Sequence, residues 1–275
     1  FFVCQVDFFE EIAKFRALRR VYAKIMKERF GAKNPESMRL RFHCQTAAAS
    51  LTKPQYQINI VRTAFQALAA VLGGTQSLHT NGMDEAFALP TEEAMKIALR
   101  TQQIVADEIN VTHVIDPLGG SYYLESLTTR YEKEIFKILD EVDKRGGTIK
   151  LIEEGWFQRR IADFAYDAAQ RKANGDRTLI GVNKYVEKDE KFDIELHPND
   201  PTIEARQIER LQRVRRERDN RKVQQLLDKL VEMAKDENQN IMPITIELVR
   251  AGASMGDIVE KLKGLWGIYR ETPVF

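Results

Sequence analysis

Two short polar runs carry the residue types best suited to chemistry. They are residues 43–46 (HCQT) and residues 77–81 (SLHTN). The first ends a segment with the apolar alternation of a β-strand, and the second ends a short strand-like segment. Strands buried in a parallel sheet are normally apolar throughout. Since function gathers at the carboxyl ends of parallel strands, two polar strand ends indicate a ligand site there.

Two carboxylates follow the second polar run. Asp84 and Glu85 come directly after the strand end at Asn81, where a carboxylate can accept hydrogen bonds from the hydroxyl groups of a ligand. An acidic residue that precedes a helix can instead interact favourably with the positive end of the helix dipole. Both interpretations stay open from these residues alone.

The four histidines do not have the spacing of a metal site. His43, His79, His113 and His197 each stand alone, without a histidine four residues away or a nearby carboxylate, so we expect no metal ligands among them. His43 and Cys44 are adjacent on a predicted strand and therefore point to opposite faces. They cannot act as the base and nucleophile of a thiol protease.

Two further motifs have simple structural explanations. The glycines of residues 73–77 (GGTQS) precede a strand, whereas phosphate-binding loops follow a strand and open a helix. Residues 210–222 contain seven basic and two acidic side chains, which could track a nucleic acid backbone. No aromatic residue interleaves with them, so a solvated helix face is the preferred interpretation.

Composition narrows the classes of function. The chain has 275 residues, of which 43% are hydrophobic, and 42 basic against 41 acidic residues give a net charge of +1. Such a balanced charge does not attract nucleic acid or an anionic membrane, and no apolar run approaches the roughly 20 residues of a membrane span. The two cysteines, Cys4 and Cys44, predict buried free thiols in a reducing cytoplasm.

Helices and strands alternate in the first part of the chain. The patterns predict a helix over 8–30, a strand over 38–46, a helix over 56–72 and a strand over 75–80, while residues 1–4 resemble the end of an apolar strand. This order is typical of βα units in a parallel sheet, either doubly wound or a barrel.

Helices dominate beyond Pro90. Capped by Thr91, the first runs to about residue 108; the others are predicted over 127–145, 156–173, 206–234, 243–251 and 255–265, with a short extended piece over 178–182 and an extended surface linker over 184–200. We therefore expect three regions: 1–90, 91–183 and 184–275.

Several ordered runs together resemble the large subunit of the methylmalonyl-CoA mutase family. They include residues 41–46 (RFHCQT), 59–63 (NIVRT), 73–81 (GGTQSLHTN), 116–122 (DPLGGSY) and 181–185 (GVNKY). Isobutyryl-CoA mutase and 2-hydroxyisobutyryl-CoA mutase share most of these motifs, so they are alternatives. A further alternative is a helical interaction subunit without activity.

The resemblance implies an α/β fold: the C-terminal part of a (β/α)8 TIM barrel, followed by a mostly helical region. It implies a catalytic large subunit that rearranges the carbon skeleton of an acyl-CoA through a radical 1,2-shift, with adenosylcobalamin as cofactor. The expected partners are the acyl-CoA substrate, a separate small cobalamin-binding subunit in a hetero-oligomer, and the remaining N-terminal half of the barrel, because two or three strands cannot close one. The expected location is the cytoplasm.

The resemblance also implies roles for individual residues. Gln45 matches a residue that hydrogen-bonds beneath the corrin ring, and Asn81 and Glu85 match catalytic-site residues that hold the polar groups of the adenosyl moiety. Ala86 follows as a small residue that allows close approach of the cofactor.

One run departs from the family pattern. Where the mutase has Ser-Gly-Trp, this chain has Ala47, Ala48 and Ala49, so Ala48 and Ala49 are expected to form an altered floor against the corrin. The loss of an indole removes a large flat contact. Cofactor affinity or substrate preference is therefore expected to differ.

Overall fold

The computed structural model describes residues 1–198 and 200–271. Its contacts divide the chain into two compact units, Phe1–His197 and the described residues from Pro198 onward. The division falls inside the segment predicted as a linker. No helix among the described residues is both long enough and apolar enough to cross a membrane.

A small parallel sheet organises the start of the first unit. It contains β1 (Phe2–Cys4), β2 (His43–Thr46) and β3 (Ser77–His79) in the order β1-β2-β3. The register pairs Cys4 with Thr46 and Gln45 with His79. The mixed α/β class with parallel strands is confirmed.

The strands are shorter than predicted. Residues Pro35–Met38 form a 3₁₀ turn, because the Asn34 side chain accepts a hydrogen bond from the Glu36 N–H and proline occupies the first position of the turn. The alternation that begins at residue 38 therefore becomes strand only at His43.

The first unit contains six α-helices among the described residues. They are α1 (Phe8–Glu28), α2 (Asn59–Leu72), α3 (Glu92–Asp107), α4 (Tyr122–Lys144), α5 (Thr148–Glu153) and α6 (Trp156–Ala173). The bounds predicted for α6 and the Thr91 cap of α3 are confirmed. Helix α4 begins five residues before the predicted residue 127, and α5 was not predicted.

The core of the first unit lies between the sheet and α1. Phe15 of α1 stacks on Phe42, with ring centroids 5.1 Å apart, and Cys4 and Cys44 are fully buried beside them. The prediction of two buried free thiols is confirmed. A hydrogen bond with the Cys44 thiol, together with burial, raises the pKa of Cys4. Gly73 ends α2 against this core, since a Cβ there would lie 2.5 Å from the Phe15 ring.

The second unit consists of α7 (Thr202–Glu217), α8 (Asn220–Ala234), α9 (Met242–Arg250) and α10 (Met255–Trp266). The prediction of one helix over 206–234 is wrong. Arg218 is extended, the Asp219 side chain caps α8, and the Arg218 guanidinium donates to Asp257 at 2.6 Å. The Asp219 cap and the pairing of Arg218 with Asp257 stabilise a break between α7 and α8, although the helical sequence pattern continues through it.

The segment between α6 and the second unit has little regular structure. The short extended piece predicted over 178–182 is a turn with one isolated bridge, between Ile180 and Lys184. Residues 188–198 contain neither helix nor strand, as predicted for the linker. The Arg62 guanidinium donates to the Ile180 carbonyl at 2.7 Å, which connects this turn to α2.

Candidate functional site

The polar ends of β2 and β3 meet at one edge of the sheet. The side-chain amides of Gln45 and Asn81 lie 3.1 Å apart, and the Asn81 amide lies 3.1 Å from the Thr46 hydroxyl. Asn81 is buried and Gln45 is half-buried. Two residues predicted for one site are thus in direct contact.

Asn81 also fixes the loop that follows β2. Its backbone N–H donates to the Thr46 hydroxyl at 3.0 Å. With the side-chain oxygen turned toward the Ala48 N–H, 3.2 Å away, its NH2 group donates to the Thr46 carbonyl at 3.2 Å. The amide of Asn81 therefore joins both strand ends to the first residues of the loop.

The loop after β2 exposes two alanine side chains on a fixed backbone. Ala48 and Ala49 are exposed within a 3₁₀ turn, Ala48–Ser50. The fully buried Gln66 of α2 accepts from the Ala47 N–H at 3.1 Å and donates to the Ser50 hydroxyl. The exposed methyl groups form a small apolar surface whose shape is set from beneath.

Sequence reasoning missed Gln66 and Asn59, the two buried amides that hold this region. The Asn59 side chain bonds to both the N–H and the carbonyl of Thr52, at 3.0 and 2.8 Å, and donates to the Met83 carbonyl at 3.0 Å. Arg62 donates to the Asn59 side-chain oxygen at 2.8 Å. One side chain thus connects the loop after β2 to the turn after β3. An amide at the start of an amphipathic helix gives no pattern that separates this role from a solvent-facing one.

The two carboxylates after Asn81 have different environments. Asp84 is buried, and its Oδ2 accepts from the N–H of Thr91 at 2.7 Å and from the hydroxyl of Thr91 at 3.1 Å. It therefore holds the start of α3. Glu85 is half-buried in a turn, and no group in residues 1–198 or 200–271 donates a hydrogen bond to its carboxylate.

The position of Glu85 also bears on the helix-dipole alternative. Helix α3 begins at Glu92, and the dipole effect is confined to the first turn of a helix. Glu85 lies outside that turn, so the dipole of α3 does not account for its position. Ala86, next in the same turn, is exposed.

The His43 side chain makes two local contacts. His43 Nδ1 lies 2.6 Å from the Ser77 hydroxyl, and its ring packs edge-on against Phe1. Among the described residues, no three His, Cys, Asp or Glu side chains come close enough to hold a metal ion.

Parallel βα units with polar strand ends at one sheet edge are typical of enzymes, and the sequence comparison identifies the family. The chain belongs to the methylmalonyl-CoA mutase family, whose sequence profile matches residues 1–268.

The chain is similar to several named mutases. It is 74% identical to the 2-hydroxyisobutanoyl-CoA mutase large subunit of Aquincola tertiaricarbonis, over all of this chain and 49% of the relative. It is 40% identical to methylmalonyl-CoA mutase of Rhizobium meliloti (strain 1021), over 99% of this chain and 38% of the relative. It is also 40% identical to the mitochondrial methylmalonyl-CoA mutase of Mus musculus, over 96% of this chain and 35% of the relative. The chain thus spans about half the length of these relatives, or less.

Proposed function

We propose that the protein acts as an adenosylcobalamin-dependent acyl-CoA mutase and that this chain is part of its catalytic large subunit. The observation that carries the proposal is the meeting of Gln45 and Asn81 at one sheet edge, followed along the chain by the exposed Ala48 and Ala49 after β2 and by Glu85 after β3, whose carboxylate has no hydrogen-bond donor among the described residues. Membership of the family supports assigning this edge to the cofactor.

The choice of substrate follows the degree of similarity. Identity is 74% to a 2-hydroxyisobutanoyl-CoA mutase large subunit and 40% to methylmalonyl-CoA mutase. We therefore favour a short, branched 2-hydroxyacyl-CoA as substrate over methylmalonyl-CoA or isobutyryl-CoA. The departure at Ala47, Ala48 and Ala49 from the methylmalonyl pattern agrees with this preference.

The residues present fit adenosylcobalamin. When bound, the cofactor supplies hydrogen-atom abstraction through homolysis of its cobalt–carbon bond. The exposed methyl groups of Ala48 and Ala49 would lie against the flat corrin, and the Gln45 amide would hydrogen-bond at its face. The Glu85 carboxylate would accept hydrogen bonds from the ribose hydroxyls, with Asn81 ordering Gln45 beside it and Ala86 leaving room for the adenosyl group.

The proposed function requires more of the protein than the three strands of this chain. Three strands cannot close a barrel, and the relatives are longer than this chain. We infer that the sheet belongs to a (β/α)8 barrel completed by further strands, and that a separate small cobalamin-binding subunit covers the other face of the corrin. The buried free thiols agree with a reducing cytoplasm.

This chain alone should bind adenosylcobalamin weakly, because it supplies one of the two surfaces that enclose the corrin. Equilibrium titration followed by visible absorbance should give submicromolar affinity only after the complementary subunits are added. Submicromolar affinity for the isolated chain would contradict the two-subunit assignment.

The replacement Glu85→Gln tests the catalytic assignment. It keeps the size and removes the charge, so kcat of the assembled enzyme with saturating cofactor should fall about tenfold or more, since a charged hydrogen bond is worth roughly 1.5–3 kcal/mol. The melting temperature should stay unchanged, because no group of the described chain pairs with the carboxylate.

Glu92→Gln is the matched control. Glu92 is exposed in the first turn of α3, so its replacement should alter stability slightly through the helix dipole and leave kcat unchanged. An unchanged kcat with a lowered melting temperature for Glu85→Gln would refute the catalytic role. Absence of cobalamin-dependent turnover in the unmodified assembly would refute the mutase proposal and favour a non-catalytic interaction subunit.

A further inference from the structure

Residues 185–193 contact both loops that carry the candidate cofactor face, although this segment contains no helix or strand. It contacts residues 53–56 in the loop after β2, and it contacts Phe87 in the turn after β3. The segment is therefore more than a connection between α6 and the second unit.

The first contact stabilises an unfavourable backbone conformation. Gln55 has φ 48° and ψ 47°, in the left-handed region that residues other than glycine seldom adopt. Its backbone N–H donates to the Glu190 carboxylate at 2.6 Å, and its side chain donates to the Tyr185 carbonyl at 2.8 Å. Such strain persists where surrounding contacts determine it, and here residues 185–190 provide them.

The second contact is aromatic. The Phe192 ring packs edge-on against Phe87 with centroids 5.5 Å apart, and Phe87 packs in the same way against Tyr56 at 5.5 Å. The Lys53 ammonium lies 5.2 Å from the Phe87 ring centre and 5.3 Å from that of Phe192. Because edge-to-face ring pairs and cation–π contacts are directional, the cluster fixes both loops relative to residue 192.

Phe87 and Lys53 belong to the loops that bear the site. Phe87 lies in the turn that contains Glu85 and Ala86, and its N–H donates to the Asp84 carbonyl at 2.8 Å. Lys53 follows Thr52, the residue that Asn59 anchors. Gln66 and Asn59 hold the loop after β2 from the helix side, whereas residues 185–193 hold its outer part.

We infer that residues 185–193 form a positioning strap for the cofactor face, with Glu190 and Phe192 as positioning residues. The inference rests on the proposed function for the identity of the ligand. The strap sets the spacing between the apolar floor at Ala48 and Ala49 and the carboxylate of Glu85. A flat ligand can contact both at once only when that spacing is maintained.

Backbone hydrogen exchange of the unloaded full chain is the first measurement. In the variants Phe192→Ala and Glu190→Ala, amides of residues 47–58 and 82–88 should exchange about tenfold faster, while amides of α1 and α4 keep their rates because local opening differs from global unfolding. Phe192→Tyr, which retains the ring, should restore the slow exchange. Leu196→Ala is the matched control, since this side chain is in the same segment and exposed.

Cofactor affinity of the assembled enzyme is the second measurement. The Kd for adenosylcobalamin should rise about fivefold to tenfold in Phe192→Ala and return in Phe192→Tyr, as expected when preorganisation of a binding surface is lost and regained. Leu196→Ala should leave the Kd unchanged.

The two measurements separate the strap from the proposed function. Unchanged exchange in both loops, or faster exchange throughout α1 and α4, would overturn the strap. Faster exchange in the two loops with an unchanged Kd for adenosylcobalamin would show that the strap does not position the cofactor face. If the unmodified assembly fails to bind adenosylcobalamin, the proposed function fails, and the exchange results still decide whether the strap holds the two loops.

Discussion

The two units of the chain differ in the polarity of their buried side chains. Every buried polar side chain in residues 1–198 and 200–271 lies in the first unit, and several of them surround the strand ends, among them Thr46, Asn59, Gln66, Asn81 and Asp84. The buried cluster of the second unit is entirely apolar and contains Val223, Leu227, Leu230, Ile244 and Leu248.

Apolar and polar interiors contribute differently to a fold. Apolar packing stabilises a fold without specifying the place of any single polar atom. A buried amide with all its hydrogen bonds satisfied adds less stability but specifies the positions of its partners, and it costs much when one partner is lost. The first unit places such amides beneath the candidate site, whereas the second unit has a core made for stability.

The largest expected effect is loss of packing in the second unit. Leu230→Ala removes a fully buried side chain and should lower the free energy of unfolding of that unit by about 4 kcal/mol. Hydrogen exchange of α8 amides would measure this loss. Met255→Ala, at a side chain that is 82% exposed, should cost less than about 1 kcal/mol; equal losses for the two variants would show that the apolar cluster is not a core.

A second test removes the amide that joins the two loops. Asn59→Ala leaves the N–H and carbonyl of Thr52 and the carbonyl of Met83 without their side-chain partner, so the first unit should lose about 3 kcal/mol. Cofactor affinity should fall as well, which is the effect that Leu230→Ala should not have.

Asn220→Ala is the control for that test. The Asn220 amide also bonds to a backbone carbonyl, that of Arg215, but on the surface. Its replacement should cost about 0.5 kcal/mol. Loss of stability in Asn59→Ala with unchanged cofactor affinity would break the link between buried amides and positioning.

Of the three main variants, Asp257→Asn should cause the smallest loss of stability. Its effect is electrostatic and concerns the second unit. Burial opposes ionisation of Asp257, but hydrogen bonds from Arg218 and Ser254 outweigh it and lower its pKa to about 2. Asp257→Asn should therefore cost about 2 kcal/mol near pH 7. Because the folded pKa is depressed, this contribution is complete above the unfolded pKa near 4 and disappears as the pH falls from about 4 to about 2.

Urea unfolding of both proteins at several pH values would measure this contribution. The difference between wild type and Asp257→Asn should vanish near pH 2. Asp228→Asn is the control: this exposed carboxylate pairs with Lys261 at 3.4 Å, and surface pairs contribute little. A difference that persists unchanged at pH 2 would refute the electrostatic explanation.

Sequence patterns predicted elements better than their ends. The bounds of α6 and the cap of α3 followed from periodicity and from Asn174 and Thr91, which are local signals. The break at Arg218 was missed because the helical pattern continues through the Asp219 cap, and because the pairing of Arg218 with Asp257 joins residues distant in the chain. The start of β2 was also misplaced, because the turn at Asn34 overrides an alternating pattern.

The candidate site was predictable in part. The polar strand ends and their common edge follow from the order of helices and strands, whereas the roles of Gln45, Asn81 and Glu85 came from resemblance. The pairing of the Gln45 and Asn81 amides needed the register of β2 and β3. Gln66 and Asn59 could not be distinguished from ordinary helix amides, since their function lies in contacts with loops.

The support of Ala47 and Ser50 by Gln66 has a consequence for how the site can change over evolutionary time. The turn is held by hydrogen bonds of the buried Gln66 side chain with the Ala47 N–H and the Ser50 hydroxyl. Its backbone path therefore does not depend on the exposed side chains of Ala48 and Ala49. Substitutions at these two positions can alter the surface offered to a ligand without rebuilding the fold. The turn therefore combines a surface that substitution can reshape with a backbone that keeps its path.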